Sequence, residues 1–181
     1  TVGVPGPGEV KVRHEAIGLN FVEVYQRTGL YKVDLPFTPG IEAAGVVEAV
    51  GAGGTDFNRG DRVADGGPLG SYADERLIAA DKLVHVPDRI SLETAAAVVS
   101  KAGTAHYLLF ETWLFKPGDT MLVHAASGGV GSFLVQWASA AGANVIALAG
   151  SDEKVQGALE NGARRAFNSR QDGWVQKVRE A

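Results

Sequence analysis

The sequence predicts an α/β protein in two parts, a compact β-barrel followed by a parallel sheet with helical crossovers. Up to about residue 90, short runs of alternating apolar and polar residues are cut by Gly, Pro and Asp. This period-2 pattern is typical of half-buried strands. From Ser91 onward, helical and apolar segments follow in the order β-α-β-α-β-α, which is typical of a parallel sheet. We therefore predict two domains, residues 1–95 and 96–181, with the boundary between Ser91 and Thr104.

The first part contains several segments with the strand pattern and one with a helical pattern. The predicted strands are EVKVRHEA from Glu9, GVVEAVG from Gly45, DRVADGG from Asp61, and two short strands from Tyr72 that join at Ala80–Asp81. One helix is predicted near Phe21–Gln26 and ends at Gly29.

The second part alternates helices with apolar strands. SLETAAAVV, from Ser91, has an N-cap Ser and an acidic first turn, and TAHYLLFETW, from Thr104, predicts a second helix. The other predicted elements are buried strands from Thr120 and Asn144, a short strand at Ala163–Asn168, and helices at Val130–Ala141, Asp152–Glu160 and from Gly173.

Composition excludes several classes of function. Cysteine is absent, which excludes disulfides, thiol catalysis and Cys-type zinc sites. No apolar run is long enough to span a membrane, and the first residues do not have the pattern of a secretory signal, so we expect a cytoplasmic protein. The net charge is −4 without a basic patch, so nucleic acid is not an expected partner. The four histidines lack metal-ligand spacing, and we predict that His124 is buried and structural.

A glycine cluster, AASGGVG, follows the strand predicted from Thr120. Gly128, Gly129 and Gly131 stand where strand passes into helix, and a dinucleotide pyrophosphate binds at such a position through backbone N–H groups and the helix dipole. The glycines alone are equally consistent with tight packing. The strand before, the helix after and the second strand that ends about 20 residues later favour dinucleotide binding.

The end of that second strand indicates which dinucleotide binds. NAD sites usually have Asp or Glu at this position, whereas this strand ends with Gly150 and Ser151. Ser151 can donate a hydrogen bond to a phosphate, and Lys154 follows in the first helical turn, which favours the 2′-phosphate of NADPH. Asp152 is the alternative, as a ribose-binding acid. We prefer to assign Asp152 and Glu153 as residues that complement the helix dipole.

Further motifs extend over nearly the whole chain. They are Gly18–Tyr25, Arg27–Tyr31, Thr38–Glu42, Gly60–Val63, Lys101–Tyr107, and Gly118-Asp119 leading to Ala126–Gly131 and Gln136. With these motifs the chain resembles the zinc-free quinone oxidoreductases of the medium-chain dehydrogenase/reductase superfamily, which include zeta-crystallin.

The resemblance implies a GroES-like barrel followed by a Rossmann domain, with the active site in the cleft between them. It implies NADPH as hydride donor, quinones or other small electrophiles as acceptors, and a homodimer or homotetramer for the full-length protein. The implied positions are Asn20 and Tyr25 at the nicotinamide and substrate, Thr104 and Tyr107 beside the cofactor, the loop with Gly129 and Val130 at the pyrophosphate, and Gly150, Ser151 and Lys154 at the 2′-phosphate.

Two departures from the family pattern concern the cofactor and the metal. Ser169 stands where many relatives have a Tyr that stacks near the 2′-phosphate or adenine, and we retain Ser169 as a cofactor-binding candidate. Zinc-binding relatives have Gly-His-Glu where this chain reads Gly40-Ile41-Glu42. With the His replaced and no Cys present, we expect no catalytic zinc.

The predicted mechanism follows from the chemistry of a quinone, which accepts hydride without a Lewis acid. The protein then mainly positions the nicotinamide against the acceptor and excludes water. Tyr25 is either a polar group near the acceptor oxygen or a packed aromatic residue. Asn20 is the stronger candidate, because a buried amide needs hydrogen-bond partners and a cofactor supplies them.

Two other functions remain open, and we expect the chain to be a fragment. The alternatives are an NADPH-dependent reductase of activated C=C bonds, as in enones and alkenals, and a non-enzymatic, cofactor-binding protein of the crystallin type. A complete dinucleotide fold has two βαβαβ halves, and only the first is predicted here. The first strand and the C-terminal return of the barrel are also absent from the predicted elements.

Overall fold

The computed structural model describes residues 2–53 and 55–181. The chain divides into two compact units, Thr1–Ser100 and Lys101–Ala181. Each unit has its own sheet and its own apolar core.

The first unit is built on an antiparallel sheet, which confirms the predicted β-rich part. Its elements are β1 (Glu9–Ile17), α1 (Phe21–Arg27), β2 (Glu42–Val50), β3 (Arg62–Gly66), β4 (Glu75–Ala79) and β5 (Leu83–His85). The strand order is β4-β1-β2-β3-β5, and a 3-10 turn at Ala80–Lys82 joins β4 to β5, as predicted. Alternation along β1 buries Val10 and Val12, which pack with Val47 of β2 and Val63 of β3.

The second unit contains a three-stranded parallel sheet, which confirms the predicted half of a doubly wound fold. Its elements are the last residues of α2 (Leu92–Tyr107), then β6 (Thr120–Val123), α3 (Gly129–Ala140), β7 (Asn144–Ala149), α4 (Asp152–Glu160), β8 (Arg165–Asn168) and α5 (Trp174–Arg179). The strand order is β6-β7-β8. In a parallel sheet the carboxyl ends of all strands meet at one edge, so the turns after β6, β7 and β8 lie on the same side.

Helix α2 differs from the prediction of two helices. The Ser91 hydroxyl accepts a hydrogen bond from the Thr94 N–H at 3.1 Å and so caps the helix, as expected. The helix then runs without a break to Tyr107 and continues as a π-helical turn, Leu108–Thr112. Gly103 lies within the helix and keeps a helical backbone, so it does not end the helix.

Strand β6 and His124 are more exposed than predicted. Among the residues that the structure describes, β6 pairs only with β7, so its other edge is open and 40% of Leu122 is exposed. His124 lies beyond the end of β6 and is exposed, with its ring 6.3 Å from that of Trp174. The prediction that His124 is buried was therefore wrong, because the residue follows the end of β6 and is not part of the strand.

A group of polar side chains is buried in the first unit. Arg76 of β4 forms an ion pair with Asp65 of β3 and donates hydrogen bonds to the carbonyl oxygens of Pro68 and Leu69 at 3.2 and 3.1 Å. His14 of β1 bonds the Ala73 carbonyl oxygen through Nδ1 at 2.7 Å, so Nδ1 carries the proton. His14 Nε2 is buried without a partner among the described residues.

We expect His14 to make the protein less stable in mild acid. Burial lowers the pKa of His14 below 6.5, because protonation at Nε2 would place a buried N–H without an acceptor. The folded state therefore binds fewer protons than the unfolded state as the pH falls below 6.5, and stability is lost in that window. Urea unfolding followed by circular dichroism should show a larger loss between pH 7.5 and 5.5 for the native protein than for His14→Gln. An equal loss in both would contradict this role.

Candidate functional site

The glycine loop after β6 has backbone N–H groups without an acceptor among residues 2–53 and 55–181. The first intrahelical bond of α3 runs from the Ser132 N–H to the Gly128 carbonyl oxygen at 2.9 Å. The N–H groups of Gly129, Val130 and Gly131 come before this bond, so the helix gives them no acceptor. Gly128 and Gly129 are exposed, and the positive end of the helix dipole lies at this point. The loop can therefore bind an anion through backbone N–H groups.

Packing within the second unit accounts for the glycines themselves. A Cβ on Gly131 would overlap the carbonyl oxygen of Ala125 and lie 2.9 Å from the Cα of Ala126. A Cβ on Gly129 would lie 3.0 Å from Cδ of Lys101, whose aliphatic chain covers this residue. Close packing and phosphate binding can thus both explain why glycine stands at positions 129 and 131. The missing side chains allow the loop to pack against the helix, and the N–H groups remain available to a ligand.

Lys101 lies beside the glycine loop and was not among the predicted site residues. It lies on α2 three residues before Thr104, and residues at that spacing share a helix face. Thr104 is half-buried and Tyr107 is 48% exposed. The Lys101 side chain lies over Gly129. The side of α2 that carries Lys101 and Thr104 therefore adjoins the glycine loop at Lys101.

The turn after β7 brings together the residues predicted to surround a 2′-phosphate. The Ser151 hydroxyl is the N-cap of α4 and accepts a hydrogen bond from the Lys154 N–H at 3.4 Å. Gly150 is half-buried, whereas the Lys154 side chain is exposed. Ser169, after β8, donates its hydroxyl to the carbonyl oxygen of Ala149 at 3.2 Å, which places it beside the same turn.

Asp152 forms side-chain contacts that neither of its two predicted roles, ribose binding or complementing the helix dipole, included. Its Oδ1 accepts hydrogen bonds from the side-chain amides of Asn168 at 2.8 Å and Gln171 at 3.1 Å. Asp152 is also in the first turn of α4, where a negative charge complements the helix dipole, as we preferred. The carboxylate therefore joins the turn after β7 to the loop after β8.

Asn20 is held in place by a buried carboxylate. Its Nδ2 donates to Oε2 of Glu42 at 3.0 Å, and its backbone N–H donates to Glu23 at 2.6 Å. Glu42 is completely buried at the start of β2, and its Oε1 accepts from the Ser100 N–H at 2.8 Å. Because a carboxylate can only accept, Glu42 orients the Asn20 amide, and the side chain of Asn20 also accepts from the Glu23 N–H in a capping box.

Tyr25 lies in an aromatic cluster on the other end of α1. Its ring centroid is 5.2 Å from that of Phe21 and 5.3 Å from that of Tyr31. Phe21 and Tyr31 are 69% and 54% exposed. Asn20 and Tyr25 thus share a helix but have different neighbours. A groove of about 760 Å³ begins next to this cluster and is lined by Tyr31 and the loop from Gln26 to Pro39.

Neither a metal cluster nor a membrane-spanning helix is found in the described part of the chain. Across residues 2–53 and 55–181, no three His, Asp or Glu side chains are grouped to hold a metal ion. No helix in these ranges is long and apolar enough to cross a bilayer. A further groove of about 530 Å³ lies along β6, between Trp113 and Leu134, and contains none of the predicted site residues.

Two family models match the chain. Residues 6–88 match the alcohol dehydrogenase GroES-like domain, and residues 129–181 match the model described as zinc-binding dehydrogenase. A quinone oxidoreductase of Pseudomonas aeruginosa is 48% identical over 97% of this chain. The chain belongs to the quinone oxidoreductase family of the medium-chain dehydrogenase/reductases. The predicted family is therefore confirmed.

Other members of this family agree in sequence and structure. A 2-haloacrylate reductase of Burkholderia is 44% identical over 99% of this chain. The structure of the Escherichia coli quinone oxidoreductase complexed with NADPH has a TM-score of 0.96 and 42% identity, and covers 99% of this chain. This chain spans 55% of the Pseudomonas protein and 56% of the other two. The chain thus corresponds to about half the length of its relatives.

Proposed function

We propose that the protein containing this chain reduces quinones by hydride transfer from NADPH, without zinc. The observation that carries the proposal is the set of unpaired N–H groups at Gly129, Val130 and Gly131, at the carboxyl edge of a parallel sheet. The Pseudomonas relative at 48% identity is named a quinone oxidoreductase, and the Escherichia coli structure contains NADPH. These relatives supply the reaction class, which the loop alone does not specify.

The residues present fit an NADPH molecule, which would supply the hydride. The N–H groups of the glycine loop would bind the pyrophosphate. Lys154, the Ser151 turn and Ser169 would surround the 2′-phosphate, and Thr104 and Tyr107 would contact the cofactor from α2. Each of these groups lies in the second unit, on α2 or at the carboxyl edge of its sheet.

Asn20 would orient the nicotinamide end through the second lone pair of its Oδ1, the first being directed to the Glu23 N–H. An amide oxygen accepts from an N–H or O–H of the cofactor, and the buried Glu42 fixes the direction of that acceptor. Glu42 is then a positioning residue, because it acts through Asn20. Its oxygens are occupied by Asn20 and Ser100, and the chain has no cysteine, so the described residues do not fit a zinc centre.

Tyr25 would donate its hydroxyl hydrogen to the acceptor oxygen on which negative charge develops. Tyr25→Phe keeps the packing against Phe21 and Tyr31 and removes only the hydroxyl. We expect kcat/KM for 1,4-benzoquinone to fall about tenfold, the effect of roughly 1.4 kcal/mol, while the Kd for NADPH stays unchanged. The measurement is NADPH oxidation by the full-length protein.

Tyr31→Phe is the matched control for this test, because Tyr31 belongs to the same cluster. If both variants keep full kcat/KM, Tyr25 is a packed aromatic residue and has no catalytic role. If the full-length native protein does not oxidise NADPH with any quinone, the proposed function itself is wrong.

A second candidate function is the reduction of activated C=C bonds. It is favoured by the 2-haloacrylate reductase that is 44% identical over 99% of this chain. The cofactor half of the site would be the same for both reactions. Steady-state rates of the full-length protein with 1,4-benzoquinone and with 2-chloroacrylate separate the two, and a higher kcat/KM for the haloacrylate would favour the second candidate.

A further inference from the structure

The loop after β8 is fastened to the turn after β7 by several hydrogen bonds. The Ser169 N–H and hydroxyl both donate to the carbonyl oxygen of Ala149, at 2.8 and 3.2 Å. The amides of Asn168 and Gln171 both donate to Asp152. We call residues 149–152 and 168–171 together the clasp. Its bonds fix the position of the one residue of the loop not yet described, Arg170.

Arg170 extends over the turn after β7. Its backbone N–H donates to Oδ1 of Asn168 at 3.0 Å, which fixes the start of the side chain. Its Nε lies 3.6 Å from the point that a Cβ on Gly150 would occupy. The guanidinium is exposed and forms no hydrogen bond or ion pair within residues 2–53 and 55–181. A cation therefore stands directly beside Gly150 with its donors unused.

Lys154 is a second cation without an ion pair at the same turn. It lies in the first turn of α4, and no acid among the described residues is within salt-bridge distance of its ammonium group. The nearby Asp152 is engaged by two amide donors and serves the clasp. The turn after β7 thus presents two cations without ion pairs among the described residues, whereas the carboxylate of Asp152 is already hydrogen-bonded.

We propose that Arg170 binds the 2′-phosphate of NADPH together with Lys154 and thereby selects NADPH over NADH. The inference rests on the proposed function and deepens it. A guanidinium offers a planar fork of donors that binds a phosphate bidentately, whereas an ammonium acts as a point charge. Ser169 is small and is bonded to Ala149, and the space beside Gly150 is left to the neighbouring Arg170.

The test is a titration of the full-length protein with NADPH and NADH, followed by nicotinamide fluorescence. Arg170→Ala should weaken NADPH binding at least tenfold and leave the Kd for NADH unchanged, because NADH has no 2′-phosphate. Arg170→Lys should lose less affinity than Arg170→Ala. Competition by 2′,5′-ADP and 5′-AMP gives a second measurement, and only 2′,5′-ADP should lose affinity in Arg170→Ala.

Two control variants make the result specific. Arg164 precedes β8 and bonds the side chain of Asn144, at the amino edge of the sheet, so Arg164→Ala should change neither cofactor affinity. Asp152→Asn keeps Oδ1 as an acceptor for the clasp and removes only the charge. It should leave NADH binding unchanged, whereas a ribose-binding acid would lose affinity for NADH.

Each alternative outcome contradicts the proposal in a distinguishable way. Equal weakening of NADPH and NADH by Arg170→Ala would show that Arg170 holds the fold of the clasp and not the phosphate. Unchanged NADPH affinity would exclude Arg170 from the site, while NADPH binding by the native protein would leave the proposed function intact. If the native protein binds neither cofactor, the proposed function fails together with this inference.

Discussion

Replacing Arg76 by methionine is expected to destabilise the first unit by about 3–5 kcal/mol at neutral pH. Arg76 and Asp65 form an ion pair in which the two side chains are only 8% and 3% exposed. The substitution leaves the Asp65 carboxylate buried without its counter-charge, and it removes the donors to Pro68 and Leu69. All three tryptophans lie in the second unit, so far-UV circular dichroism and hydrogen exchange of β3 and β4 are the suitable measurements.

The loss of unfolding free energy caused by Arg76→Met should be smaller in acid than at neutral pH. Burial raises the pKa of Asp65 above its ordinary 3.8, and Arg76 opposes this rise. An acid with a raised pKa in the folded state contributes most stability when protonated and loses it as pH rises through the folded pKa. Removing Arg76 raises that pKa further, so protonation relieves the buried charge as the pH falls from 7 towards 4.

Arg13→Met is the control for this prediction. Arg13 lies in the same sheet and pairs with Glu15 and Glu48, but its side chain is 45% exposed, and such surface pairs contribute at most about 1 kcal/mol. If Arg76→Met were no more destabilising than Arg13→Met, or if its deficit grew in acid, the assignment of Asp65 as a buried charge held by Arg76 would be wrong.

The sequence predicted best those elements whose signals are local. The bounds of α4 agree with the prediction because Ser151 caps it and Asp152 and Glu153 form an acidic first turn. The exposure of β6 could not be predicted, because an apolar strand is the same in sequence at the edge and in the centre of a sheet. The helices predicted from Ser91 and from Thr104 form one helix, because the backbone of the residues between the two patterns also stays helical.

The same distinction applies to the site. The glycine loop and the turn at Ser151 follow from spacing along the chain, so the sequence indicated them. The position of Glu42 against Asn20 joins residues 22 positions apart, and its bond to Ser100 spans 58. The clasp that holds Arg170 joins two separate turns. Such contacts depend on the folded sheets, and no pattern along the chain predicts them.

Gly131→Ala is expected to destabilise the second unit by about 1–3 kcal/mol. An added Cβ would overlap the Ala125 carbonyl oxygen and press on the Cα of Ala126, and both are backbone atoms that cannot rotate away. Ala125 already has a positive φ of 49°, so the loop has little freedom to move aside. Trp137 lies on the same helix, and its fluorescence during urea unfolding gives the free energy of unfolding of this unit.

Gly157→Ala is the matched control, because the same methyl group should have the opposite effect there. Gly157 lies inside α4 with open space where its Cβ would stand, so alanine should stabilise the helix by about 0.5–1 kcal/mol. Comparison of Gly131→Ala with Gly157→Ala separates the effect of close packing at residue 131 from the general effect of replacing a helical glycine by alanine. If Gly131→Ala were also neutral or stabilising, the close approach of α3 to Ala125 would not hold in solution. The glycine at 131 would then serve the ligand alone, and its replacement should weaken NADPH binding without changing the unfolding curve.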